Sequence, residues 1–210
     1  TCGQEPGPCG RTHEGRQEEL RCDERQEEGR LDERQRKFID HLRGLAKEGE
    51  EDRGALADLR SGLGRDPGQM ARVHKHVVPW LPERGYDDRW HYITAALFGA
   101  FPKHRACYSV GKAFSSLRGK SDSMEARFVA LLNAHADDLD DHLRHAVSLL
   151  KANEQPIDWF RLLEDLLQWD HPEGHVQLRW ARDFYGGTPV STGAQSEIQD
   201  NPNEEEHDHE

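Results

Sequence analysis

Between Asp158 and Gly187 the chain reads DWFRLLEDLLQWDHPEGHVQLRWARDFYGG, and this stretch leaves few ways to fold. Trp159 or Phe160, then Leu163, Leu166 and Leu167, return on one side of a helix, and Val176, Trp180 and Phe184 return every fourth residue. Asp158 follows Pro156 and is placed to cap the first helix. Asp170 is placed to cap the second, with Pro172 and Glu173 in its first turn and Gly186-Gly187 past its end. Two consecutive amphipathic helices, heavy in tryptophan, are expected. The stretch holds no nucleophile with a partnered base and no phosphate-binding loop.

The same period runs upstream. From Gln17 to Lys47 the sequence favours helix, and the part from about Leu31, through Phe38, Ile39, Leu42 and Leu45, carries the apolar stripe that packs. Gly49–Gly54 reads as a break, Ala55–Leu63 as a short helix, and Gln69–Val78 as another that ends before Pro79. Asp87 and Asp88 open the most apolar helix, through Trp90, Ile93, Ala96, Leu97 and Phe101, and Pro102 stops it. Residues 103–109 read as a seam. After it come Val110–Leu117, a helix capped by Ser121 or Ser123 that carries Phe128, Leu131 and Leu132, and Asp137–Lys151 with Leu139, Leu143, Val147 and Leu150 inward. Sustained period-two alternation is missing, so the expected fold is all-α. It comprises a charged, partly helical tail at 1–33, helical bundles at 34–105 and 106–187, and a disordered acidic tail at 188–210.

Charge is distributed along the same divisions. The formal net charge is −12 and hydrophobic residues are only 34% of the chain. Residues 1–33 are net −5, residues 188–210 are net −7 with no Lys or Arg, and residues 34–187 are neutral. The acidity therefore belongs to the tails and says little about what the body binds. Within the body, Arg60, Arg65, Arg72 and Lys75 stand against Asp66 alone between residues 60 and 81. Lys103, Arg105, Lys112, Arg118, Lys120 and Arg127 stand against Asp122 and Glu125 between residues 103 and 127. Such runs suit phosphate contacts, and they equally suit a solvated helix face. The longest uncharged run there, Trp90 to Pro102, is 13 residues, short of the ~20 that cross a bilayer. Cys2, Cys9 and Cys22 lie in the polar tail and Cys107 stands alone in the body. No disulfide framework is expected, and the chain reads as a reduced cytoplasmic protein.

Three constellations invite a chemical reading. Asp138, Asp141, His142 and His145 share a helix face, the residue types of a metal-dependent phosphodiesterase. Carboxylates in a first helical turn also complement the helix dipole without any metal, and that reading is preferred. His171 and His175 are four apart, and Cys2, Cys9, His13 and Cys22 lack the paired spacing of a zinc finger. No metal, cofactor or catalytic residue is expected. The tryptophans could stack bases, but Trp90, Trp159 and Trp180 fall on apolar stripes and read as core.

In the order of its motifs the chain resembles the CasB family, the small subunit of the type I-E CRISPR Cascade complex. GKAFSSLRG, ARFVALLNA, LDDHLRHAVSLL, DWFRLLEDLLQWD and LRWARDFYG carry the resemblance in the C-terminal half, and ALADLRSGLG, VPWLP and DDRWHYITAALFGAFP carry it more loosely before that. It covers about residues 36–187. The resemblance implies a non-catalytic, dimeric subunit in antiviral defence, holding CRISPR RNA, target DNA and the displaced non-target strand beside other Cascade subunits. It also implies nucleic-acid contacts at positions matching Arg60, Arg89, Lys112, Arg118, Arg127 and Arg144. A helical adaptor that binds only protein is the remaining alternative.

Overall fold

The structure, a computed structural model, describes residues 31–186 apart from 83, 84, 86, 87 and 121. The expectations for the two charged tails lie outside those residues. Among the described residues nine α-helices follow one another: α1 (Glu33–Leu45), α2 (Arg53–Arg60), α3 (His74–Val77), α4 (Asp88–Ala100), α5 (Val110–Ser115), α6 (Asp122–Leu132), α7 (Leu139–Ala152), α8 (Trp159–Leu167) and α9 (His175–Tyr185). Among the same residues there is no strand, and a single isolated bridge joins His104 to Ile157. The fold is all-α.

The most apolar segment becomes the centre. Every residue of α4 from Trp90 to Gly99 is buried, as expected of a helix that is hydrophobic all round. It packs against α2, α3, α7 and α8. A continuous hydrophobic core runs from Leu31 through Phe98 to Phe184. Gly99 allows the closest of these approaches, since a Cβ there would stand 2.7 Å from the Arg60 nitrogen and from the Leu59 Cβ.

Residues 103–109 are stitched to the chain ahead of α8. Arg105 N–H donates to the Ile157 carbonyl at 3.0 Å, and Asp158 N–H donates to the Tyr108 carbonyl at 2.8 Å. Asp158, almost wholly buried, accepts from Cys107 N at 2.7 Å and caps α8 by accepting from Phe160 N at 3.0 Å. The expected cap is present, and the same carboxylate also orders the seam.

Three expectations need correction. The apolar spacing of Met70, Val73 and Val77 is buried as a helix would bury it, but only His74–Val77 is α-helical. Turns of 3-10 helix at Pro67–Gln69 and Val78–Trp80 flank it, each with proline in its first turn, where the ring fixes φ. Asp170 does not cap α9, which starts at His175 behind Gly174 at φ 57°. Proline at 172 disfavours helical backbone at His171, so the chain first makes a turn that needs a left-handed residue. Cys107 is disulfide-bonded, against the expectation of reduced thiols. It sits half-buried in a loop at φ 57°, a placement that sequence spacing does not reveal. The other three cysteines lie outside the described residues.

Candidate nucleic-acid interface

The six basic residues named for nucleic-acid contact fall into two groups. Arg89, Arg118 and Arg144 are engaged within the chain. Arg89, in the first turn of α4, donates to the Asp137 carbonyl at 3.0 Å and reaches Asp140 at 3.5 Å, so it ties the start of α4 to the start of α7. Its guanidinium lies 5.3 Å from the Trp90 ring. Arg118 donates to the Phe184 carbonyl at 3.2 Å and lies over the Phe184 and Tyr185 rings, closing the end of α9. Arg144 pairs with Asp141 at 2.7 Å, one turn back on α7.

Arg60, Lys112 and Arg127 form the other group. Their side chains have no hydrogen bond or ion pair among the described residues. Arg60 and Arg127 are exposed, and Lys112 is half-buried on the outer side of α5, whose Val110, Gly111, Ala113 and Phe114 face the core. A cation with no internal partner keeps its full charge for a ligand.

The structure brings together some residues and separates others. Arg89 and Arg144 both pair with aspartates at the start of α7, Arg89 with Asp137 and Asp140 and Arg144 with Asp141. Arg60 stands elsewhere, on a cleft of about 560 Å³ between α2, the end of α4 and the end of α7. Arg53, Lys103 and Lys151 share that cleft. Their convergence was hidden in the sequence, and the seven-residue spacing of Arg53 and Arg60 was its one local signal.

Of the residues considered for metal chemistry, Asp141 and His175 have side-chain partners within the chain. Asp138 precedes α7 in its N-cap position, Asp141 is paired with Arg144, and Asp137 lies 3.6 Å from His135. His175 contacts Gln168 at 2.9 Å, and its ring packs 4.6 Å from His171. Among the described residues no three His, Cys, Asp or Glu side chains are grouped to hold a metal ion. Trp159 and Trp180 are fully buried and Trp90 and Trp169 nearly so, which removes them as a stacking platform. Trp80 is half-buried against the core, 5.4 Å from the His41 ring.

The buried electrostatics serve packing. Asp165 on α8 is 1% exposed, accepts from the Trp180 indole, and pairs with Arg179 on α9. Burial pushes its carboxyl up to about 6, against the opposing pull of Arg179 and the Trp180 hydrogen bond. Burial also holds His41 and His76 below the usual imidazole range.

Fold and surface define a helical module with one continuous core that carries Arg60, Lys112 and Arg127 outward on separate helices. The chain belongs to the CRISPR-associated Cse2 family, whose model matches residues 55–185. It is 35% identical over 168 residues to a CRISPR-associated protein Cse2 from Thermus thermophilus, covering 78% of this chain and 96% of that one. A crystal structure of CasB from Thermus thermophilus superposes with a TM-score of 0.63 at 36% identity, over 72% of this chain and 97% of that chain. A chain in a structure of a CRISPR RNA-guided surveillance complex superposes at 0.62 with 25% identity, over 73% and 92%. The CasB resemblance is borne out.

Proposed function

We propose that the protein is a non-catalytic small subunit of a type I-E Cascade surveillance complex. In this reading it holds the guide RNA–target hybrid and the displaced DNA strand while the R-loop forms, working in the cytoplasm as a homodimer beside the other subunits. Membership of the Cse2 family supports this, as does its likeness to a chain from an RNA-guided surveillance complex. The carrying observation is that Arg60, Lys112 and Arg127 have no side-chain partner among the described residues. Guide-dependent complexes read sequence by base pairing, so such a subunit needs backbone contact alone. Among the described residues no helix is long and apolar enough to cross a membrane.

The six basic positions then differ in role. Arg60, Lys112 and Arg127 carry direct phosphate contact, while Arg89, Arg118 and Arg144 hold their helices and add to the field around them. The test is target-DNA binding by the assembled complex carrying Lys112→Ala with Arg127→Ala. Affinity should fall uniformly across target sequences, and the salt slope should shrink by ~0.7–0.9 for each phosphate that the variant no longer neutralises. Unchanged affinity and slope would refute the proposed contacts. Cleavage of nucleic acid with Mg²⁺ or Mn²⁺, abolished in Asp141→Ala, would replace this reading with the phosphodiesterase.

A further inference from the structure

We infer that the acidic C-terminal segment of this chain, residues 197–210, docks on the basic face where α9 ends, against Lys112, Arg118 and Arg182, and there withholds Lys112 from nucleic acid. The docking stands on charge and position, while its consequence rests on the nucleic-acid reading above.

All three cations are tied to the last turn of α9. Arg118 donates to the Phe184 carbonyl at 3.2 Å with one arm of an exposed guanidinium. Arg182 is exposed one turn ahead of Gly186, whose N–H donates to the Arg182 carbonyl at 2.7 Å. Lys112 is held beside Asp183: its N–H donates to Ser109 Oγ, and that hydroxyl donates in turn to the Asp183 carboxylate. The side chains of Lys112 and Arg182 have no hydrogen bond or ion pair among the described residues. The chain that follows Gly186 therefore leaves the fold beside these charges.

The charges of this face do not cancel. From α5 through α6 stand Lys112, Arg118, Lys120 and Arg127 against Asp122 and Glu125, and the last turn of α9 adds Arg182 and Asp183. Two of the carboxylates are already engaged, Glu125 by the Tyr185 hydroxyl at 2.9 Å and Asp183 by Ser109. The C-terminus of α9 offsets only about half a positive charge. A positive surplus remains.

The segment that follows has the complementary charge within reach. Residues 187–196 are uncharged, and residues 197–210 hold seven Asp or Glu and no Lys or Arg. Such a spacer reaches at most about 35 Å, at ~3.5 Å per residue. Neighbouring helix axes are only about 8–10 Å apart, so the carboxylates can return to α5 and to the end of α9. Each exposed ion pair is weak alone, but the tether makes the encounter intramolecular, at an effective concentration of about millimolar. A segment held this weakly competes with free strands and yields to a hybrid that the rest of an assembly positions. It biases the subunit against stray nucleic acid.

The experiment compares full-length wild type with a full-length variant carrying Glu197→Gln, Asp200→Asn, Glu204→Gln, Glu205→Gln, Glu206→Gln, Asp208→Asn and Glu210→Gln. At low salt the backbone amide resonances of Lys112, Arg118 and Arg182 should differ between the two proteins. The differences should vanish near ~1 M salt, where the screening length falls to about 3 Å. No difference at these amides, or differences at Arg53 and Lys151 instead, would overturn the docking. Differences that grow with protein concentration would place the segment on a second copy and overturn it too. A fluorescent deoxythymidine strand of about ten nucleotides, within the usual site size, reads the consequence. The neutralised variant should bind it several-fold more tightly than wild type, and Lys112→Ser with Arg182→Ser should shrink that gain. An undiminished gain would be a general charge effect and would overturn the masking. If the amides differ and neither protein binds the strand, the docking stands and the nucleic-acid reading falls. If wild type binds the strand and the amides coincide, the docking falls and the nucleic-acid reading stands.

Discussion

Gly111 on α5 lies directly against the main chain of Trp180 on α9. A Cβ at Gly111 would stand 2.4 Å from the Trp180 carbonyl oxygen and 2.9 Å from the Asp183 Cβ. Ser109, which caps α5 by accepting from Lys112 N, also donates its hydroxyl to Asp183. The two helices therefore meet backbone to backbone. Gly111→Ala must push them apart and should destabilise by about 1–3 kcal/mol, the usual range for overpacking. Denaturant midpoints would show it, and an unchanged midpoint would mean the helices pack more loosely than described.

Arg179 and Asp165 make a pH-dependent prediction. The Asp165 carboxyl is raised to about 6 by burial. A group raised in the folded state binds more protons there than in the unfolded chain, so its contribution to stability is fully present below pH ~4 and is lost as pH rises through about 6. Above that, Arg179 is what offsets the buried charge. Arg179→Met should destabilise by about 3 kcal/mol at pH 8, as expected when one partner of a buried pair is removed. At pH 5, where Asp165 takes up a proton, the loss should be smaller. Equal losses at both pH values would contradict this assignment.

His41 and His76 act in the opposite direction. Their rings stack 6.1 Å apart, and the Nε2 atoms of both are buried without a hydrogen-bond partner among the described residues. Burial lowers the pKa of each below 6.5. The unfolded chain then binds more protons as pH falls past 6.5, so stability drops on acidification. His41→Gln with His76→Gln should flatten the change in thermal midpoint between pH 7.5 and 5.5. A slope as steep as wild type would show that other histidines cause it.

The two groups of cations should separate in a stability assay. Arg89→Ala breaks the donation to the Asp137 carbonyl and the interaction with Asp140, and should cost about 1 kcal/mol. Arg127→Ala removes an exposed side chain with no partner among the described residues, and should leave stability within about 0.5 kcal/mol. Chemical unfolding of both variants checks this directly. An equal loss in Arg127→Ala would mean it too is structural.

Much of the helical scaffold was readable because helix formation is local. Leu139, Leu143, Val147 and Leu150 recur at helical spacing and are all buried. Val176, Trp180 and Phe184 do the same on α9. Asp158 caps α8 as its place after Pro156 indicates. Where local signals compete, the sequence misleads. The periodicity of Met70, Val73 and Val77 is right about burial and wrong about backbone, since proline and 3-10 turns can place the same side chains inward. At α9 an aspartate in cap position yields to the residue that precedes proline.

The candidate interface divides the same way. Sequence alone determined which positions carry permanent charge, that helices would present them, and, through the order of motifs, the family to which the chain belongs. Only the tertiary structure decided which of those charges are already used. Arg89 and Asp137 are 48 residues apart, as Arg118 and Phe184 are 66, and no periodicity links such pairs. Likewise Arg53, Arg60 and Lys151 share one cleft because Gly99 lets α2 settle onto α4 and α7 ends beside them. Helical spacing is set by bonds within one turn. The partner of a charge is set by which helices pack together, and that is a property of the whole core.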